Sequence, residues 1–179
     1  TVKVERTAVW VTVPEGYTVD QIIDLLVSKG IGTKEKYVDA INNYPYKHEF
    51  VQLLDEMGYS EDRVYRLEGY LFPDTYEFFT DSTEIAIIDK LLAAFDTKFE
   101  DDNYARLEEM GMNLDQVVTL ASIVQKEGKF NADFYPIAGV FFNRLKSKDM
   151  RKLQSDATVQ YCLEERKEEL SYADLEVES

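Results

Sequence analysis

In the second half of the chain an apolar run ends on Gln125-Lys126-Glu127-Gly128, inside the stretch ASIVQKEG. At about 100° per residue, the segment before it is an amphipathic helix beginning at Asn113, with Gln116 as its capping-box partner. Leu114, Val117, Ala121 and Val124 share the core face of that helix, flanked by Leu120. Glu127 projects beside Leu120, between Val124 and Ile123. Gln125 lies on the opposite flank near Val118, Lys126 faces away, and Ser122 takes a packing role. A glutamate at the edge of an apolar stripe, in the last helical turn, meets partial desolvation and the negative end of the helix dipole. Both favour the protonated carboxyl, which is the state a general acid needs. The alternative is an ordinary surface glutamate at a helix end.

Other chemistries find little support. His48 is the only histidine and sits in YPYKHEF without a metal-like partner spacing, so a surface or hydrogen-bonded structural role is expected. The chain contains no GxSxG, Walker loop, GxGxxG or HExxH pattern, which removes serine-hydrolase, nucleotide and zinc-protease readings. FEDDNYARLEEMGM is acidic but lacks the alternating oxygen ligands and central glycine of a calcium loop. No metal and no cofactor are expected. The 35 acidic residues against 20 basic ones give a formal charge of -15 and would repel phosphate backbones and anionic lipid. Nucleic acid is therefore not a partner. Cys162, the single cysteine, excludes an internal disulfide and reads as a buried structural thiol. No run reaches the roughly 20 apolar residues of a membrane span, and TVKVERTAVW has no signal-peptide layout.

The elements that must hold Glu127 in place follow from pattern. Val9, Val11 and Val13 alternate with Trp10 and Thr12, predicting a strand that ends at Pro14-Glu15-Gly16. Thr18 and Gln21 form a capping box for a helix whose face is Ile22, Leu25 and Leu26 and whose stop is Lys29-Gly30. Two further helices, separated near Tyr44-Pro45, occupy residues 34–57, and Gly58 ends the second. RVYRLEGYLFPDTYEFFTDST has neither period and predicts an irregular aromatic loop or a short strand pair, of the kind that lines a site or packs a core. Ser82 or Thr83 starts the next helix, with Ile85, Ile88, Leu91, Leu92 and Phe95 at helical spacing. An acidic helix and turn lead to Asn113. The expected fold class is α+β and helix-rich, with a small N-terminal strand-loop-helix subdomain.

Four motifs, LEGYLFPDTYEF, LASIVQKEG, VFFNRL and MRKLQSDATVQY, occur in that order. Together they resemble the YceG-like (MltG) family of endolytic murein transglycosylases, over residues 11 to 175. The resemblance implies an extracytoplasmic bacterial enzyme, held at the membrane by an N-terminal transmembrane helix not in this chain. Such an enzyme cuts the MurNAc-GlcNAc bond within peptidoglycan glycan strands without water, leaving 1,6-anhydroMurNAc ends. It needs no cofactor, touches the membrane only through its anchor, and has penicillin-binding synthases as implied partners. Family members carry two glutamates at the positions of Gln125 and Glu127, the second being catalytic. Glu127 therefore matches the catalytic position and Gln125 departs from the pattern.

The same resemblance divides the chain into an N-terminal LysM-like, substrate-binding portion at 1–62 and a catalytic domain at 63–179. That domain continues further in family members. Glu68, Asp74 and Tyr76 of the aromatic stretch are candidates to bind glycan or support Glu127, as are Gln125, Asn143, Arg144, Gln154, Asp156, Thr158 and Tyr161. For each of these, a turn, cap or buried hydrogen bond is the competing role. The alternative to the enzyme is a catalytically degenerate peptidoglycan-binding module.

Overall fold

The structure is a computed structural model that describes residues 6–59, 63–149, 153–163, 167, 170, 171 and 174. Met150, Arg151 and Lys152 of the fourth motif lie outside the described residues, as do Asp62 and Leu175. The described elements are β1 (Ala8–Thr12), α1 (Val19–Ser28), α2 (Lys34–Asn43), α3 (Glu49–Met57), β2 (Thr75–Phe79), α4 (Glu84–Lys98), α5 (Asp101–Met110), α6 (Leu114–Glu127), α7 (Asn131–Lys146) and α8 (Asp156–Cys162). Helices dominate and one small sheet accompanies them, so the fold is α+β, as the patterning anticipated. Compactness separates residues 1–115 from residues 116–179. Each unit is taken by itself below.

The first unit is built on the alternation seen in its opening strand. Val11 and Val13 are buried while Trp10 is 65% exposed, so the side chains of β1 alternate between core and solvent. Its partner comes from the aromatic stretch, where the second half, Thr75–Phe79, pairs antiparallel with β1 in the register Val11↔Tyr76. The expected loop or strand pair is thus a loop followed by one strand, and the sheet spans the division near residue 63 proposed for the two functional portions. Thr18 and Gln21 do form the capping box of α1. Glu68 strengthens that helix start, its two carboxylate oxygens lying 3.1 and 3.2 Å from the Val19 amide. Thr83 caps α4 through the Ala86 amide. Ile85, expected on the core face of α4, is exposed, and Ile87 is buried in its place. The α5 helix ends at Gly111, whose φ of 67° is the left-handed conformation a glycine adopts without a Cβ penalty.

Aromatic side chains form the centre of this unit. Phe50, Tyr70 and Phe95 lie 4.8 to 5.7 Å apart between ring centroids. Burial and the adjacent Asp115 carboxylate push the Tyr70 hydroxyl far above its usual titration range. Two arginines fasten the irregular loop to this core. Arg66 grips both Asp55 carboxylate oxygens and the Tyr44 carbonyl. Arg63 donates to the carbonyls of Tyr65 and Glu68 and to Asp115 Oδ1 at 2.7 Å, and Tyr70 donates to the same oxygen. Three acceptors in fixed directions suit a planar fork. His48 takes the hydrogen-bonded role foreseen for it, between Asp89 and Asp96.

Among the described residues of the second unit, the buried apolar ones are Leu120, Ile123, Val124 and Phe141. Ala121 is exposed, contrary to the helical projection, and Val117 is half-buried, so the covered face is rotated towards Ile123. Cys162 is exposed rather than a buried thiol, because it ends α8, a short helix with no buried residue. Ser122 is exposed as well, and its hydroxyl bonds back to the Thr119 carbonyl instead of packing. Asp174 is buried, paired with Lys167 and accepting from Ser171. The lysine and the serine hold its carboxyl down at about 2.

Two expectations arise from these anchors. Arg63→Ala should lower stability to chemical denaturation by about 2–4 kcal/mol, because it removes three charge-assisted hydrogen bonds at once, to the Tyr65 and Glu68 carbonyls and to Asp115. Arg63→Lys should recover only part of the loss, and full recovery would contradict the fork argument. Because the Asp174 carboxyl titrates below its unfolded range, its contribution is complete above about pH 5 and is lost as pH falls through about 2. The stability gap between parent and Asp174→Asn should therefore close on acidification below about pH 4, as equilibrium unfolding at several pH values would read out.

Candidate active site

Glu127 is the last residue of α6 and is solvent-exposed. The partial burial anticipated for it is absent, because the buried stripe of the helix ends at Ile123 and Val124, one turn earlier. What the structure supplies instead is a directed donor. Ser155 Oγ donates to Glu127 Oε1 at 2.7 Å, and Ser155 itself is only 4% exposed. Gly128 follows immediately, its amide bonded to the Val124 carbonyl at 2.9 Å. A Cβ on Gly128 would meet two ring carbons of Phe134 at 2.4 Å, so glycine lets α7 return directly beneath the carboxylate-bearing turn. Asp133 steadies that return by accepting from the Phe130 amide at 3.1 Å.

The serine is held from several directions. It stands at the N-cap of α8, yet its side chain makes no capping bond to that helix. Thr158 Oγ1 donates to the Ser155 carbonyl at 2.8 Å. Arg144, on α7, donates to the Leu153 carbonyl at 2.5 Å and lies 5.7 Å from the Phe141 ring centroid. Between them Gln154 has φ of 55°, a left-handed backbone unusual for a residue with a side chain. Neighbouring contacts must hold such a residue in place.

The sequence candidates therefore sort by position. In the second unit, Gln154 and Thr158 belong to the segment that carries Ser155, and Arg144 bonds to it from α7. Asn143 and Arg144 line a shallow groove of about 380 Å³ together with Val140 and Ser147. Gln125 is half-buried, while Asp156, in the first turn of α8, and Tyr161 are exposed. In the first unit, Glu68 serves α1 as described. Asp74 accepts from the Val13 amide through its carbonyl and from the Thr75 amide through Oδ1. Tyr76 is buried and donates to the Phe72 carbonyl at 2.6 Å, with burial pushing its hydroxyl up to about 12. The side chains of Glu68 and Tyr76 thus carry the cap and buried bond that were their competing roles. Among the described residues, no three His, Cys, Asp or Glu side chains are grouped as a metal ion would require.

Ser155 is not among the residues the sequence marks out, although Gln154 and Asp156 on either side of it are. Its signal was present: a serine before Asp-Ala-Thr-Val looks like a helix cap, and only the fold reveals that its hydroxyl is spent elsewhere.

The YceG-like family model matches residues 2–179. The chain belongs to the YceG-like family. It is 35% identical over 161 residues to an endolytic murein transglycosylase of Streptococcus pneumoniae serotype 2, covering 84% of this chain and 29% of that protein. A Bacillus subtilis protein of the same description is 29% identical over 173 residues, covering 94% of this chain and 48% of its own length. The crystal structure of a yceG-like protein from Listeria monocytogenes superposes with a TM-score of 0.77 at 35% identity, covering 97% of this chain and 58% of that one. The chain thus spans less than half the length of both transglycosylases.

The tight turn of this YceG-like chain is open to direct test. Gly128→Ala should cost about 1–3 kcal/mol by overpacking against Phe134, and a Phe134→Leu second change should return part of it. Thermal melts of the two variants would check this, and a single variant as stable as the parent would contradict the close approach.

Proposed function

We propose that this chain carries the catalytic acid of an endolytic lytic transglycosylase acting on peptidoglycan glycan strands. The observation that supports this most is the Glu127 carboxylate, at the position the motif resemblance makes catalytic, open to solvent and held by a buried hydroxyl. The names of its relatives in Streptococcus pneumoniae and Bacillus subtilis supply the substrate class.

The chemistry needs only one carboxylate. A glycoside hydrolase uses two, one to protonate the leaving oxygen and one to attack or to activate water. Here Glu127 protonates the oxygen linking N-acetylmuramic acid to N-acetylglucosamine, and that bond breaks. The C6 hydroxyl of the muramic residue bonds to its own C1, and its proton passes to the Glu127 carboxylate. The product is a 1,6-anhydro end, the acid is regenerated and water is not consumed. Asn143 and Arg144, along their groove, and the exposed Tyr161 are candidates in this unit for gripping the sugar.

In this reading the protein acts on the extracytoplasmic face of the cell membrane, tethered by an N-terminal transmembrane segment outside residues 1–179. Its N-terminal LysM-like portion binds substrate, and penicillin-binding synthases are its partners in wall growth. Among the described residues no helix is long and apolar enough to cross a membrane.

Glu127→Gln keeps the side chain's size and removes the transferable proton, so anhydro products should fall by about 100- to 10,000-fold while glycan binding persists. Gln125→Ala should retain measurable turnover. Chromatography and mass spectrometry of digested peptidoglycan, with circular dichroism on both variants, distinguish lost chemistry from lost folding. A folded Glu127→Gln protein at near-parent rate would overturn the assignment, and glycan binding by the parent without any cleavage would favour a degenerate binding module.

A further inference from the structure

We propose that Ser155 is the positioning residue of Glu127, fixing the carboxyl group so that Oε2 is the oxygen that gives and receives the proton. The inference rests on the reading of Glu127 as the acid-base group. Glu127 is exposed at a helix end, where a glutamate side chain is free to sample several rotamers. Ser155 is its opposite: buried, on a fixed segment, 28 residues away in sequence and 2.7 Å away in space.

The details of the segment point to aim rather than to helix capping. A serine at an N-cap ordinarily accepts from an amide of the first turn. Here that bond is not made, and the hydroxyl donates to Glu127. Gln154 is held in a left-handed backbone just before it, with Arg144 bonding the preceding Leu153 carbonyl and Thr158 bonding the Ser155 carbonyl. These contacts fix the direction in which the Ser155 side chain leaves the backbone.

The chemical consequence follows from hydrogen-bond roles. While the ionised carboxylate accepts from the serine at Oε1, the oxygen open to an incoming proton is Oε2. The serine can keep donating to Oε1 whether Oε2 is protonated or not, so it need not reorganise between the protonating and the deprotonating steps. Without it, either oxygen can carry the proton and the acid points at the glycosidic oxygen for only part of the time.

The test uses the full-length protein and kinetics on purified glycan strands for Ser155→Ala, Ser155→Thr and Glu127→Gln. Ser155→Ala should lower kcat by about 10- to 100-fold, the scale of a misplaced reacting group, with KM within about twofold. Its melting temperature should stay within a few degrees of the parent, because water can replace the lost bond at an exposed carboxylate. Ser155→Thr, which keeps the hydroxyl, should recover most of kcat. If the alanine variant does not fold, Ser155→Cys fills the site with a poor donor and should show the same fall in kcat. A folded alanine or cysteine variant at parent kcat overturns the positioning role, as does a threonine variant that folds without recovering turnover. Activity surviving in Glu127→Gln would instead overturn the catalytic reading on which the proposal rests.

Discussion

The hydrogen bond from Ser155 to Glu127 is the contact on which the candidate site depends. It ties the end of α6 to the start of α8, and the other polar contacts around it hold one end or the other. Gly128 and Asp133 shape the turn that carries the carboxylate into α7. Arg144, itself on α7, reaches the Leu153 carbonyl and so links that helix to the serine segment. An exposed carboxylate becomes a defined one because its partner is buried.

A different device orders the first unit. In its loop between α3 and β2 the described backbone makes isolated turns, Glu68 N–H to the Tyr65 carbonyl and Tyr70 N–H to the Leu67 carbonyl, and side chains supply further contacts. Arg63 and Arg66 take three carbonyls and two carboxylates between them. The aromatic residues of the loop are then free to fill the core, as Tyr70 does beside Phe50 and Phe95. Asp115, in the first turn of α6, closes the network by accepting from both Arg63 and Tyr70.

Legibility in the sequence followed the range of the interactions. The capping box of α1, the alternation of β1, the break between α2 and α3 and the start of α4 are all set by residues a few positions apart, and each was readable. The pairing of β1 with β2 depends on residues more than sixty positions apart and was not. Helical projection misplaced Ala121 and Ile85, because a projection cannot say which flank its neighbours will cover. It also placed the carboxyl group of Glu127 in partial burial, whereas the structure leaves it exposed with a hydrogen bond from Ser155. Ser155 stayed hidden for the same reason: its type signalled a local cap, and its use is not local.

The central claim is that one carboxylate cleaves the glycan without water, and the fate of oxygen tests it most directly. Purified glycan strands would be digested by the full-length protein in heavy-oxygen water and the new ends examined by mass spectrometry. Cleavage through Glu127 alone leaves 1,6-anhydro ends that carry no heavy oxygen. Reducing muramic ends with heavy oxygen at C1 would contradict it, because they would mean that water, and a second group to activate it, completes the reaction.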